Sequence, residues 1–402
     1  MEVSQITEST QVQPVEMIYA DFNGSAPLAR EVKNYLLKRI EDGPFANPNS
    51  IHRVGRKTLM GMEKAREICA EKLGAKSNQI IFNSGSTEGI ATIFHSLIQR
   101  AKEKGKDFLI ISGIEHSAVY NTFNYYLNNG FEGKVLPTSE DGVICLDTLK
   151  KWLAEYGDRL ALVSVMAANN ETGVIQPFKE IAKACSECEV PYFSDTTQLL
   201  GKYPFNFQES GIDYAVLSGH KIGAMTGTGF VLAKDPMTLK PLLIGGGQER
   251  GLRGGTQNYL GYETIAVALN AIPTKMDKFI ELAQKRTNFE KEIKKTFPQV
   301  KIIGEGAPRL PSTTYISYPG IHGQAVQIEL ESRNIFVSTS SACSDNNPQT
   351  SRVLKEMKID DSIGRGVIRI SLSLCSSQNA YGKILEGLKD SYLKLSKVAA
   401  YS

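Results

Sequence analysis

Two short apolar runs, each closed by an ionisable group, constrain this chain most. Val190-Pro191-Tyr192-Phe193-Ser194 ends at Asp195, and Tyr214-Ala215-Val216-Leu217-Ser218 ends at Gly219-His220-Lys221. Runs of this length, bounded by polar residues and glycine, predict strands covered on both faces. In open α/β sheets, ligands bind beyond the carboxyl ends of the strands. The two runs therefore predict an α/β chain that presents an acid and an amine to one pocket.

Pyridoxal 5′-phosphate needs such a pair. It binds a lysine as a Schiff base, and a carboxylate keeps its ring nitrogen protonated so that the ring draws electrons from a substrate carbanion. Lys221 is the candidate lysine and Asp195 the candidate ring-nitrogen partner. A salt bridge on a solvated rim is the plainer reading of two strand-end charges. The neighbours turn the argument. Ser218, Gly219 and His220 set a hydroxyl, a flexible joint and an imidazole beside the amine. Gln198, three residues after Asp195, is placed to hydrogen-bond the ring hydroxyl.

Asp195-Thr196-Thr197-Gln198 followed by Ser218-Gly219-His220-Lys221 resembles the cysteine desulfurases of the NifS/IscS type, in class V of the pyridoxal-phosphate aminotransferase superfamily. The similarity runs from about Ile18 to the last helix. It implies an α/β chain of pyridoxal-phosphate transferase fold type I, with a large domain built on a mostly parallel seven-stranded sheet and a smaller α+β C-terminal domain. We expect a flexible arm over 1–16, a large coenzyme-binding domain over 17–265, and a small domain over 266–402 that carries a cysteine loop.

The other motifs follow in chain order. Asp21-Phe22-Asn23-Gly24-Ser25-Ala26-Pro27-Leu28 resembles the family's Asp-aromatic-Asn-Ala-Thr-Thr-Pro-Leu, with smaller residues at 24 to 26. Asn47-Pro48-Asn49-Ser50-Ile51-His52 is a loop, and packing is the expected role of His52. A helix is predicted over Arg56 to Leu73, stopped by Gly74. A strand over Gln79 to Phe82 leads to Ser86 and Thr87 at a helix start, where backbone amides and hydroxyls suit a phosphate. An ordinary N-cap is the other reading. Gly89 is expected to loosen that first turn. His116 follows the strand Phe108 to Ile111. The resemblance implies that it stacks on the coenzyme ring and moves protons. Asn170, after the strand predicted over Leu160 to Ala167, is implied to contact the ring hydroxyl and the substrate. Thr256, in a glycine-rich loop, is implied to reach the coenzyme phosphate of a neighbouring subunit, and so implies a homodimer.

Two features of the C-terminal part point to the reaction. Arg369, inward on a predicted strand, suits a two-bond grip on an α-carboxylate. Cys343, in a polar loop of small residues, is expected to be an exposed and reactive thiol. With the resemblance, these imply an L-cysteine desulfurase that forms L-alanine and a persulfide on Cys343. The sulfur then passes to an acceptor: an iron–sulfur scaffold, a tRNA-thiolation protein or a DNA-sulfur-modification protein. A selenocysteine lyase, another class V aminotransferase, and a coenzyme-binding scaffold without turnover are the competing readings.

Composition sets limits. The chain has 402 residues, a net charge of +3 and 22% charged residues, without a concentrated basic face for nucleic acid. Its first residues have neither the apolar core of a secretory signal nor the arginines of a transit peptide. No apolar run reaches the roughly 20 residues of a membrane span. Six scattered cysteines argue against a disulfide scaffold and for a reducing cytoplasm. Cys185 and Cys188 form a lone CxxC, a weak metal signal, and no metal site is expected.

Overall fold

The computed structural model describes residues 17–273, 276–339 and 350–399. The expected N-terminal arm and Cys343 lie outside the described residues. Seven strands form the large sheet, in the spatial order Ile80–Asn83, Gly229–Ala233, Tyr214–Ser218, Tyr192–Asp195, Leu160–Ser164, Phe108–Ser112 and Glu132–Leu136. Gly229–Ala233 runs antiparallel to both neighbours. The remaining pairs are parallel.

Alternation along Tyr214–Ser218 explains its uniform apolarity. Ala215 and Leu217 enter one core cluster, and Tyr214 and Val216 enter another. Successive side chains leave a strand on opposite faces. Both faces are covered here, so neither set is polar. The predicted strand over Leu160 to Ala167 stops at Ser164, although the amides of Val165 and Ala167 still bond the carbonyls of Phe193 and Asp195.

A smaller antiparallel sheet has the order Val367–Ser371, Thr313–Ser317, Lys301–Ile302. Its Ile316, Ile368 and Ile370 pack with Phe289 and Ile293 of the helix Met276–Thr296, and with Ile384 and Leu388 of the helix Ala380–Ala399. Ile335–Phe336 pairs in parallel with Ile18–Tyr19, and Ile18 and Ala20 join this same cluster. The first described strand is thus packed among C-terminal elements before the chain turns at Asp21 toward the large sheet.

Helix boundaries follow local chemistry. The helix predicted from Arg56 begins at Arg53, because the His52 imidazole accepts the Gly55 amide at 3.1 Å and caps it. Gly74, at φ 62°, ends it. The expectation for Gly89 needs correcting. The first turn is closed by a Gly89 amide bond to the Gly85 carbonyl at 3.1 Å. A Cβ on residue 89 would stand 2.8 Å from Val216 Cγ1, so glycine brings this helix onto the sheet. The helix Tyr259–Ala271 has no counterpart in the sequence reading. It buries residues all round, including Tyr262, Ile265, Ala266 and Leu269, and shows no polar face to reveal a period.

Candidate active site

The carboxyl ends of five strands converge. A hydroxyl cluster lies at the start of the helix Ser86–Glu103, after Gly85 in the left-handed region at φ 145°. Ser218 Oγ accepts the Ser86 amide at 2.8 Å and donates to Ser86 Oγ at 2.9 Å. Ser86 Oγ lies 2.5 Å from Thr197 Oγ1. Three hydroxyls and the first-turn amides of an 18-residue helix make a donor set suited to phosphate. Thr87 is exposed on the same turn. Thr197 was not singled out from the sequence. Its hydroxyl, two residues past Asp195, was the available signal.

Asp195 is the last residue of its strand and is buried. Its Oδ1 accepts the Thr197 amide at 3.0 Å. His116 caps the helix Ser117–Leu127, with Nδ1 accepting the Ala118 amide at 3.1 Å. That bond places the proton of a neutral ring on Nε2. Loss of hydration pushes the His116 pKa down, and Asp195 pulls the other way.

Lys221 Nζ donates to the carbonyls of Asn23 at 2.9 Å and Gly24 at 2.6 Å. Burial and the Arg369 charge bring its pKa down to about 8, against the pull of Asp21 and Asp195. His220 Nδ1 is 3.1 Å from Ser25 Oγ. Burial, with Lys221 and Lys202 close by, lowers its pKa to about 4, so it is neutral at neutral pH. Gln198 donates through Nε2 to the Asn23 carbonyl at 2.9 Å and accepts Lys202 Nζ at Oε1, at 2.5 Å. Asn23 also donates to the Asn170 carbonyl at 3.2 Å. The turn at Asp21–Ser25 therefore ties the lysine, the glutamine and the Asn170 loop together, which the sequence did not disclose.

Arg369 rises from the small sheet into the same region. Its Nη1 donates to the Asn170 carbonyl at 3.0 Å and its Nη2 to Asp21 Oδ1 at 2.6 Å. Its buried Nε has no hydrogen-bond partner among the described residues. The chain on either side of the segment that holds Cys343 is fastened to these walls. Ser338 and Arg369 exchange backbone bonds. Ser351 Oγ donates to Glu171 at 2.7 Å. Arg352 donates to the carbonyls of Gly113 and Glu115, beside His116. Burial raises the pKa of Glu171, and that of Glu115 to about 8. Thr256 stands apart and is exposed, on a loop pinned by Arg253–Glu88 at 2.9 Å and Arg66–Glu249 at 2.7 Å.

These side chains fit pyridoxal phosphate: a hydroxyl-lined helix start for the phosphate, a buried acid for the ring nitrogen, and an amine poised to lose its proton. Residues 18–380 match the family described as aminotransferase class V, and the chain belongs to that family, whose members typically use this coenzyme. Among its relatives is a protein named cysteine desulfurase IscS from Dictyoglomus turgidum, 33% identical over 385 residues and 96% of each chain. A solved structure of a NifS-like protein superposes with a TM-score of 0.86 at 32% identity, over 94% of this chain and all of that one. Another, of SspA in complex with cysteine, gives 0.77 at 29% identity, over 90% of this chain and all of that one. The folded chain is thus of fold type I, with the mostly parallel seven-stranded sheet and the small C-terminal sheet expected of it.

Proposed function

We propose that the chain is a pyridoxal-phosphate-dependent L-cysteine desulfurase. One observation carries this reading. Lys221 Nζ and Arg369 Nη1 are joined through one short relay, the lysine donating to the Asn23 carbonyl, the Asn23 side-chain amide and the arginine both donating to the Asn170 carbonyl, so an α-amino acid has a base and a carboxylate grip close together. When bound, the coenzyme supplies the electron sink. Asp195 would hold a proton on the ring nitrogen, Ser86, Thr87, Thr197 and Ser218 would hold the phosphate, and His116 and Gln198 would border the ring. His220, neutral, adds no charge to that cradle. Arg369 grips the substrate carboxylate, and Asn170 contacts the ring hydroxyl and the substrate. Lys221 Nζ takes the α-proton and returns a proton to carbon. The Cys343 sulfur forms a bond to the substrate sulfur as the substrate Cβ–S bond breaks. Cβ gains a proton, so L-cysteine and a thiol become L-alanine and a persulfide. The sulfur then moves to an acceptor protein of iron–sulfur assembly, tRNA thiolation or DNA sulfur modification. Five free cysteines among the described residues support a reducing, cytoplasmic setting. The exposure of Thr256 supports its reaching a second subunit of a homodimer. In this reading the site sits between a large domain, 17–265, and a small one, 266–402, with the helix Tyr259–Ala271 crossing that bound and its Ala266, Ala268 and Leu269 packed in the large core.

Mass spectrometry of the chain after exposure to L-cysteine tests this. A gain of one sulfur on Cys343 is expected. Cys343→Ser should bind coenzyme and L-cysteine yet release no alanine above background, because a hydroxyl is a poor nucleophile toward sulfur at neutral pH. Alanine formation by this variant at the rate of the unaltered protein would refute the mechanism.

A further inference from the structure

Arg369 is the cation assigned above to the substrate carboxylate, yet in the folded chain it already holds one. Asp21 Oδ1 lies 2.6 Å from its Nη2, across 348 residues of sequence. The pair is largely withdrawn from water, with side-chain exposures of 10% for Arg369 and 26% for Asp21. It is thus unlike an exposed ion pair of negligible worth. The turn lets the carboxylate in. Asp21 Oδ1 also accepts the Gly24 amide at 3.3 Å. A Cβ on residue 24 would overlap the Asp21 carboxylate, reaching both oxygens and the carbon between them. The motif that this turn resembles has alanine there.

We propose that Asp21 occupies the substrate-carboxylate position on Arg369, that Gly24 makes the space for it, and that an amino-acid substrate binds by displacing it. The inference rests on the reading of Arg369 as the carboxylate grip. Two carboxylates compete for one guanidinium edge. Apparent affinity for the incoming one falls by the fraction of molecules in which Asp21 has moved away. Removing the competitor therefore strengthens binding, the reverse of what removal of a supporting residue does. Gly24→Ala acts through the same contact from the other side, since its methyl group expels the Asp21 carboxylate, the free end of a short side chain.

The holoenzyme variants D21N and G24A, with R369A beside them, decide the matter. D21N keeps an oxygen for the Gly24 amide. The dissociation constant of the product L-alanine is read by calorimetry, and kcat/KM for L-cysteine by alanine release. D21N and G24A should each tighten L-alanine about five- to tenfold, the lower part of the usual range for coupled binding, and raise kcat/KM. R369A should weaken L-alanine. If R369A weakens binding while D21N and G24A leave it unchanged or weaker, Asp21 is no competitor and the inference is overturned, with the grip intact. If R369A changes nothing, the grip itself is wrong and the inference falls with it. Should D21N lose its coenzyme on purification, G24A alone decides.

Discussion

A lysine withdrawn from water beside an arginine loses its proton early, and Lys221 shows the consequence. With a pKa of about 8, about one amine in ten is neutral at pH 7, and half at pH 8. An ordinary lysine, titrating above pH 10, would be almost wholly charged at both. Only the neutral amine attacks the coenzyme aldehyde. Capture of coenzyme by the apoprotein should therefore accelerate as pH rises and level off above about pH 8, and Lys221→Ala should capture none covalently. A stopped-flow absorbance series from pH 6 to pH 10 measures it. A rate still climbing tenfold per pH unit at pH 9 would show an unshifted amine. At this scale the sequence disclosed the charges that close two apolar runs, Asp195 and Lys221, and the charge set inside a third, Arg369. It did not disclose their partners. Thr197 meets Ser86 across 111 positions, and Asn23 meets Lys221 across 198. No local pattern encodes contacts that the fold alone creates.

Elements were legible where their period or punctuation is strong. Tyr214–Ser218 has the bounds that its apolar run predicts. Tyr259–Ala271 was not legible, because a helix buried on all sides carries no amphipathic stripe. Gly89 was misread for a related reason: propensity speaks of the helix alone, whereas its neighbour here is the sheet. The two effects have opposite signs, so a substitution separates them. Alanine at 89 would gain about 1 kcal/mol in helix propensity. Its methyl group would also enter the space between Val216, Asn83 and Val231, where the nearest atom stands 2.8 Å away. Overpacking of that kind costs about 1–3 kcal/mol. Gly89→Ala should therefore lower the midpoint of denaturant unfolding. A raised midpoint would show that the helix sits free of the sheet at this point.

At the scale of the whole molecule, one chain leaves apolar surface that a second copy is suited to cover. Ile51 is 88% exposed, Met60 71% and Ile244 89%, and Leu37, Ile40 and Phe45 are exposed as well. Isolated apolar residues at a surface need no partner. These, however, lie on or beside the two helices Arg30–Asp42 and Arg53–Leu73, and in the approach to the loop that bears Thr256. That loop is no loose strand of glycines. Arg66 grips Glu249 with two bonds, at 2.7 and 2.9 Å, while Glu249 also accepts the Phe82 amide at 2.9 Å. A buried pair held in this way fixes the loop to the helix and the sheet edge, so Thr256 is offered outward from a firm base. The proposed homodimer therefore couples assembly to coenzyme retention. Ile51→Lys combined with Ile244→Lys should shift sedimentation toward the monomer, because each charge would be buried without a partner at the interface. The monomer should also hold coenzyme less tightly, since each phosphate would lose the Thr256 of the other chain. Equilibrium dialysis against coenzyme measures the second effect, and Thr256→Ala in the intact dimer should reproduce it in part. A monomeric variant that retains coenzyme as well as the unaltered protein would show that each site is complete within one chain.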